Sequence, residues 1–105
     1  MTKTFYDLLD LRTGNITLKD VRVEKWGSDV VVEIIYRYPP EETSYTLRFQ
    51  QVRSIQWITV KVDRDEETAQ VLSHDIGQDN YQRTARFATV LAEVVISYGH
   101  VVVEA

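Results

Sequence analysis

VRVEKWGSDVVVEIIYRY, residues 21–38, is the stretch on which the fold depends. Val30, Val32, Ile34, Tyr36 and Tyr38 share one parity, while Glu33 and Arg37 fall on the other. A period of two puts apolar side chains on one face of an extended strand and charges on the opposite face. Gly27-Ser28 separates this run from Val21 and Val23, and glycine at the first turn position suits a type II′ turn. The spacing predicts a β-hairpin. Upstream, Ile16 and Leu18 lie on even positions whereas Val21 and Val23 lie on odd ones. Either a bulge near Lys19-Asp20 or a break into two shorter strands would reconcile the phases.

The same pattern recurs along the chain. Pro39-Pro40 can donate no ladder hydrogen bond, so PPEET reads as a connecting loop. Tyr45, Leu47 and Phe49 then alternate with Thr46, Arg48 and Gln50 as a half-buried strand. Residues 51–62 carry apolar groups on both faces, which predicts a central strand or one crossing between two sheets. A charged turn, DRDEE at 63–67, follows, and then a more polar strand over 68–74. Residues 93–104 read as a last pair of strands about a Tyr98-Gly99 turn. Residues 83–92 read as strand, with a short helix near 80–92 as the alternative because Asp79 and Gln82 have capping-box spacing. Val, Ile and Thr number 15, 7 and 10 of 105 residues, a strong bias towards stiff, sheet-favouring side chains. Seven or so short strands without long crossovers predict one all-β domain over residues 1–105, an antiparallel sandwich or small barrel.

Composition narrows the function classes. A chain of this length can bury roughly 60 to 70% of its unfolded surface, enough for one core without staples. Cysteine is absent, so no disulfide framework or thiolate metal site is available. No apolar run approaches the ~20 residues of a membrane span, and MTKTFYDLLDLR lacks a leader-like apolar core, which points to a soluble, cytoplasmic protein. Net charge is −4, unfavourable for a polyanionic partner because nucleic-acid affinity rests on phosphate neutralisation. Tyr36-Arg37-Tyr38 and Leu47-Arg48-Phe49 interleave basic and aromatic residues, but on strands the arginines face away from the rings. Neither a nucleic-acid nor a membrane partner is expected.

LSHDIGQDNYQR, residues 72–83, is the one place where a histidine, two aspartates and an asparagine gather. His74 oriented by Asp75 or Asp79 could serve as a general base. No nucleophile motif accompanies it, and the ligand set falls short of a zinc or calcium site. A polar turn is the better reading, since Asx side chains bond nearby amides and glycine accepts positive φ. His74, Asp75 and Asp79 remain ligand-binding candidates, with Trp26 and Trp57 as possible platforms, although both tryptophans read first as core or hairpin packing. Asp63, Asp65, Glu66 and Glu67 form an acidic run suited to docking, without the spacing of a calcium loop. His100 has no partner spacing and reads as a surface histidine. No metal or cofactor is expected.

L18KDVRVEKWGSDVVVEI34 followed by T46LRFQQVRSIQW57, with its L-x-F-x-x-V-x-x-x-x-W spacing, resembles small bacterial β-rich proteins, some grouped with toxin-immunity proteins. The resemblance implies a non-enzymatic β domain that binds another protein, and it transfers no functional residue. The expected function is therefore a non-catalytic, acidic interaction or inhibitor module for a basic protein surface. Alternatives are a small-ligand or enzymatic pocket around His74, and a homo-oligomer paired through the Val101–Val103 edge.

Overall fold

The computed structural model describes residues 4–9, 11–12, 14–59 and 69–104. A one-and-a-half-turn helix, α1 (Phe5–Leu9), precedes eight strands. These are β1 (Asn15–Glu24), β2 (Asp29–Tyr38), β3 (Glu41–Gln50), β4 (Ser54–Thr59), β5 (Ala69–Asp75), β6 (Ala85–Thr89), β7 (Ala92–Ser97) and β8 (His100–Glu104). Every pairing is antiparallel, in the order β4-β7-β6-β5-β1-β2-β3-β8.

The ribbon doubles over at β5. Its first residues pair with β1, Thr17 opposite Gln70 and Leu18 opposite Ala69. The remainder pairs with β6, from Val71 opposite Thr89 to Asp75 opposite Arg86. The register slips between Val71 and Ser73, and Leu72, inside that bulge, is thrown out to 65% exposure. A bulge bends a strand and sharpens its twist, which is what a strand shared by two layers requires. The layers then close on one apolar cluster. Phe49 of β3 meets Phe87 of β6 with ring centroids 6.3 Å apart and Tyr98 at 4.8 Å, both edge-on, the arrangement aromatic quadrupoles favour. The Tyr98 hydroxyl donates to the Ile76 carbonyl at 2.7 Å, and burial pushes its pKa up to about 12.

The hairpin of β1 and β2 is as the alternation predicts, including the slip between Leu18 and Asp20. Even-numbered Val30, Val32, Ile34 and Tyr36 face the core. The turn itself differs from type II′. Lys25, Trp26 and Gly27 all have positive φ (51°, 60° and 97°), a left-handed turn closed by Glu24 opposite Asp29. The strand expected within residues 83–92 is found as β6, so the alternative helix near 80–92 does not form. Asn80 and Tyr81 (φ 58° and 60°) form a tight turn under the Gln78–Arg83 bridge, and fully buried Ala85 and Phe87 need the period of a strand. Two further expectations are corrected. Among the described residues β4 pairs with β7 alone, an edge strand rather than a central one. β7 and β8 are not a hairpin: β7 joins β4 and β6 in one layer, while β8 joins β3 in the other. Gly99 serves a close approach, since a Cβ there would lie 2.5 Å from Gln51 Oε1. The helix α1, unforeseen, carries a local signal in Thr4-x-x-Asp7, whose side chain accepts from the Thr4 amide at 3.0 Å.

Because Phe49 joins the two layers, Phe49→Ala should cost about 3–5 kcal/mol of unfolding free energy. Chemical denaturation checks this; a loss below about 1 kcal/mol would mean the layers do not depend on that contact.

Candidate functional site

His74 lies on β5 with its ring between Tyr6, edge-on at 5.4 Å, and Phe87, stacked at 6.4 Å. Its Nε2 accepts the Phe5 amide hydrogen at 2.8 Å. That satisfies one of the orphan donors at the start of α1 and requires a neutral imidazole. Burial accordingly pulls its pKa below the ordinary 6.5, against weaker upward effects of Asp75 and Asp7. The atom a general base would use is committed to the backbone.

The aspartates do not converge on it. Asp75 accepts the Gly77 amide at 2.8 Å, an Asx turn, and holds Arg83, whose Nη2 donates at 3.2 Å. Asp79 instead pairs with the other histidine: its Oδ2 lies 3.0 Å from His100 Nδ1, at the surface. The two are 21 positions apart with no sequence pattern linking them; the pair exists because the tight turn at 79–82 folds against the corner between β7 and β8. Among the described residues, no three histidine or carboxylate side chains gather as metal ligands. Asp63, Asp65, Glu66 and Glu67 lie outside the described residues.

Neither tryptophan belongs to the core. Trp57 on β4 is 53% exposed and Trp26 fully so, at 106%. Trp26 stands on the β1–β2 turn, and Val23 near that turn is also exposed. A left-handed conformation costs an L-residue roughly 1–2 kcal/mol, yet the chain holds both Lys25 and Trp26 there. Among the described residues, the other positive-φ residues that are not glycine are Gln51, Asn80 and Tyr81, and they lie in turns linked to this one directly or through the β7–β8 corner. Val52 N–H donates to the Ser28 carbonyl at 2.9 Å, Gly99 N–H to Gln50 at 3.1 Å and Asn80 N–H to Gly99 at 2.7 Å. The Tyr81 hydroxyl donates to the Gln51 carbonyl at 2.8 Å, and the Arg53 guanidinium stacks 3.7 Å over the Tyr81 ring. Among the described residues, the strained ones that are not glycine thus sit at one tied end of the sandwich, the distribution associated with functional sites.

From that end runs the outer face of β1, β2, β3 and β8. Cross-strand register lines up Arg22, Val31, Arg48 and Val102. Val31 is fully buried although it points away from the core, because its cross-strand neighbours are arginines whose stems can cover it. Arg48 donates to Glu104 at 2.7 Å, Glu24 at 2.9 Å and Asp29 at 3.1 Å. These three carboxylates, Glu104 foremost, raise its pKa and fix its charge. Arg22 bonds Glu33 at 2.6 Å and lies 3.4 Å from Asp20, and Lys25 lies 3.6 Å from Asp29. Five carboxylates (Asp20, Glu24, Asp29, Glu33, Glu104) thus meet three cations, an acidic face. Sequence reading missed it because it arises from register between distant strands.

Two open clefts lie among the described residues. One, of about 370 Å³, lies between Leu11-Arg12 and the β2–β3 tip at Tyr38-Pro39-Pro40; the other, about 200 Å³, lies between Trp57 and the β1 bulge. No helix among the described residues is long and apolar enough to cross a membrane. No family model, curated protein or solved structure matches the chain.

Burial of neutral His74 has a pH consequence. Its pKa is lower folded than unfolded, so its contribution is present above the unfolded value near 6.5 and lost as pH falls towards the folded one. Urea unfolding of His74→Gln should therefore show less stability loss than the wild type between about pH 7.5 and pH 5.5. Parallel pH curves would mean His74 is freely solvated.

Proposed function

We propose that this protein is a non-catalytic interaction module of the inhibitor or immunity type. It docks its acidic β1–β2–β3–β8 face onto a basic surface of another protein, with Trp26 as the anchor, and acts in the cytoplasm. The observation that carries this reading is Trp26, fully exposed on a turn whose backbone is strained to hold it there. A large ring left in water makes no contribution to the core, and tryptophan is prominent among residues that dominate binding energy once buried at an interface. Its turn is tied to the neighbouring corners, so little ordering cost remains for binding.

Charge supports the same partner. The acidic face continues from Glu24 and Asp29 beside the turn to Glu104 and Glu33, and the whole chain carries −4. The run of Asp63, Asp65, Glu66 and Glu67 adds the same sign. Complementary charge speeds encounter and weakens as salt rises. A catalytic pocket around His74 has less support, because Nε2 is already bonded to the Phe5 amide.

Affinity capture from cell extract with wild-type chain, Trp26→Ala, and a Glu33→Lys/Glu104→Lys double variant tests the reading. Proteins held by the wild type should be lost with both variants and released at high salt, while Trp26→Ala keeps wild-type stability within about 0.5 kcal/mol. Retention of the same proteins by Trp26→Ala would remove the anchor and with it the proposal.

A further inference from the structure

The larger cleft, of about 370 Å³, is walled by Leu11 and Arg12 on one side and by Tyr36, Tyr38, Pro39, Pro40 and Glu41 on the other. β2 starts at Asp29 beside the Trp26 turn and ends at Tyr38, so roughly 30 Å of strand separates the two places. The walls are fixed before anything binds. The Tyr36 hydroxyl donates to the Arg12 carbonyl, the Tyr6 hydroxyl to the Gly14 carbonyl at 2.6 Å, and the Leu11 amide to the Tyr6 carbonyl at 2.9 Å. Gly14 lies so close to β2 that a Cβ there would collide with the Arg37 carbonyl oxygen. Opposite, the rings of Pro39 and Pro40 lock their own backbone φ.

The charges in this cleft are unspent. Arg22, Arg37, Arg48, Arg83 and Arg86 each hold a carboxylate, and Arg53 is stacked on Tyr81. Arg12 holds none among the described residues. It donates to the Tyr38 hydroxyl at 3.2 Å and lies 5.8 Å over that ring, which leaves most of its five N–H donors free. The Tyr38 hydroxyl accepts from Arg12 and keeps its own proton for a further acceptor. Glu41 lines the same cleft, yet it pairs with neither Arg12 nor any other cation among the described residues.

We propose that this cleft binds a small zwitterion with an apolar body, an amino acid with an aromatic side chain. Its carboxylate meets Arg12 and the Tyr38 hydroxyl, its ammonium meets Glu41, and its ring packs against the tyrosines and prolines. Charge selects this class. A plain anion is attracted by Arg12 and repelled by Glu41, and a plain cation the reverse; a molecule carrying both charges bridges a gap that the two side chains leave open. A guanidinium fork matches the two oxygens of a carboxylate. Tyrosine rings favour an aromatic body, and an apolar lining with a few placed polar groups is usual for small-molecule sites.

Amide NMR titration of the chain with L-phenylalanine tests this. Saturable shifts are expected at Leu11, Arg12, Tyr38 and Glu41, with the Trp26 turn unmoved, so this site and the docking face fail separately. Phenylalaninamide, which lacks the carboxylate, and N-acetylphenylalanine, which lacks the ammonium, should each bind at least about tenfold more weakly. Arg12→Gln should abolish the preference over the amide and keep that over the acetylated form; Glu41→Gln should do the reverse. Arg86→Gln, which removes a positive charge elsewhere, should bind as the wild type does. Absence of saturable shifts in the cleft, equal affinity for the three probes, or wild-type discrimination by either cleft variant would each overturn the proposal.

Discussion

The apolar face of an eight-stranded ribbon leaves water only by meeting itself, and the Phe49–Phe87–Tyr98 cluster is where it does so. The rest of the architecture follows from the geometry of that meeting. β5 must belong to both layers, so it carries a bulge and sacrifices Leu72 to solvent. β3 must hand over to β4, and β7 to β8, by corners that pass from one layer to the other. Those corners, with the tight turn at 79–82 and the β1–β2 turn, are bonded into one rigid end.

Rigidity at that end gives the Trp26 turn its meaning. A left-handed residue persists when its surroundings over-determine it, and the Val52–Ser28 bond does so from the neighbouring corner. Beneath the turn, the acidic face is ordered by Arg48, whose three carboxylate partners come from β1, β2 and β8. Exposed ion pairs add little stability individually; their effect here is to fix the positions of charges that a partner would meet.

How much was legible follows from the range of each interaction. Period-two alternation is local, so the β class, the β1–β2 hairpin and a phase change beside Lys19 could be read directly, whereas only the pairing shows that change to be a bulge rather than a break. Thr4-x-x-Asp7 was equally local and could have announced α1. The separation of β7 from β8 could not be read, because Tyr98-Gly99 looks like a hairpin turn and only contact with Gln51 shows it to be a corner. The polar corner was rightly expected to be a turn at Asp75-Gly77. Its histidine, however, caps a helix 69 residues away, and its second aspartate serves His100. Trp26 was misjudged as packing, since exposure at a turn leaves no trace in alternation.

The central claim is that one continuous sheet folds onto its own apolar face and leaves Trp26 outside. Nuclear Overhauser contacts between aromatic protons measure this most directly. The account requires contacts from the Phe49 ring to both Phe87 and Tyr98, and none from the Trp26 indole to any of the three. Absence of the Phe49–Phe87 contact, or an indole found among those rings, would contradict it.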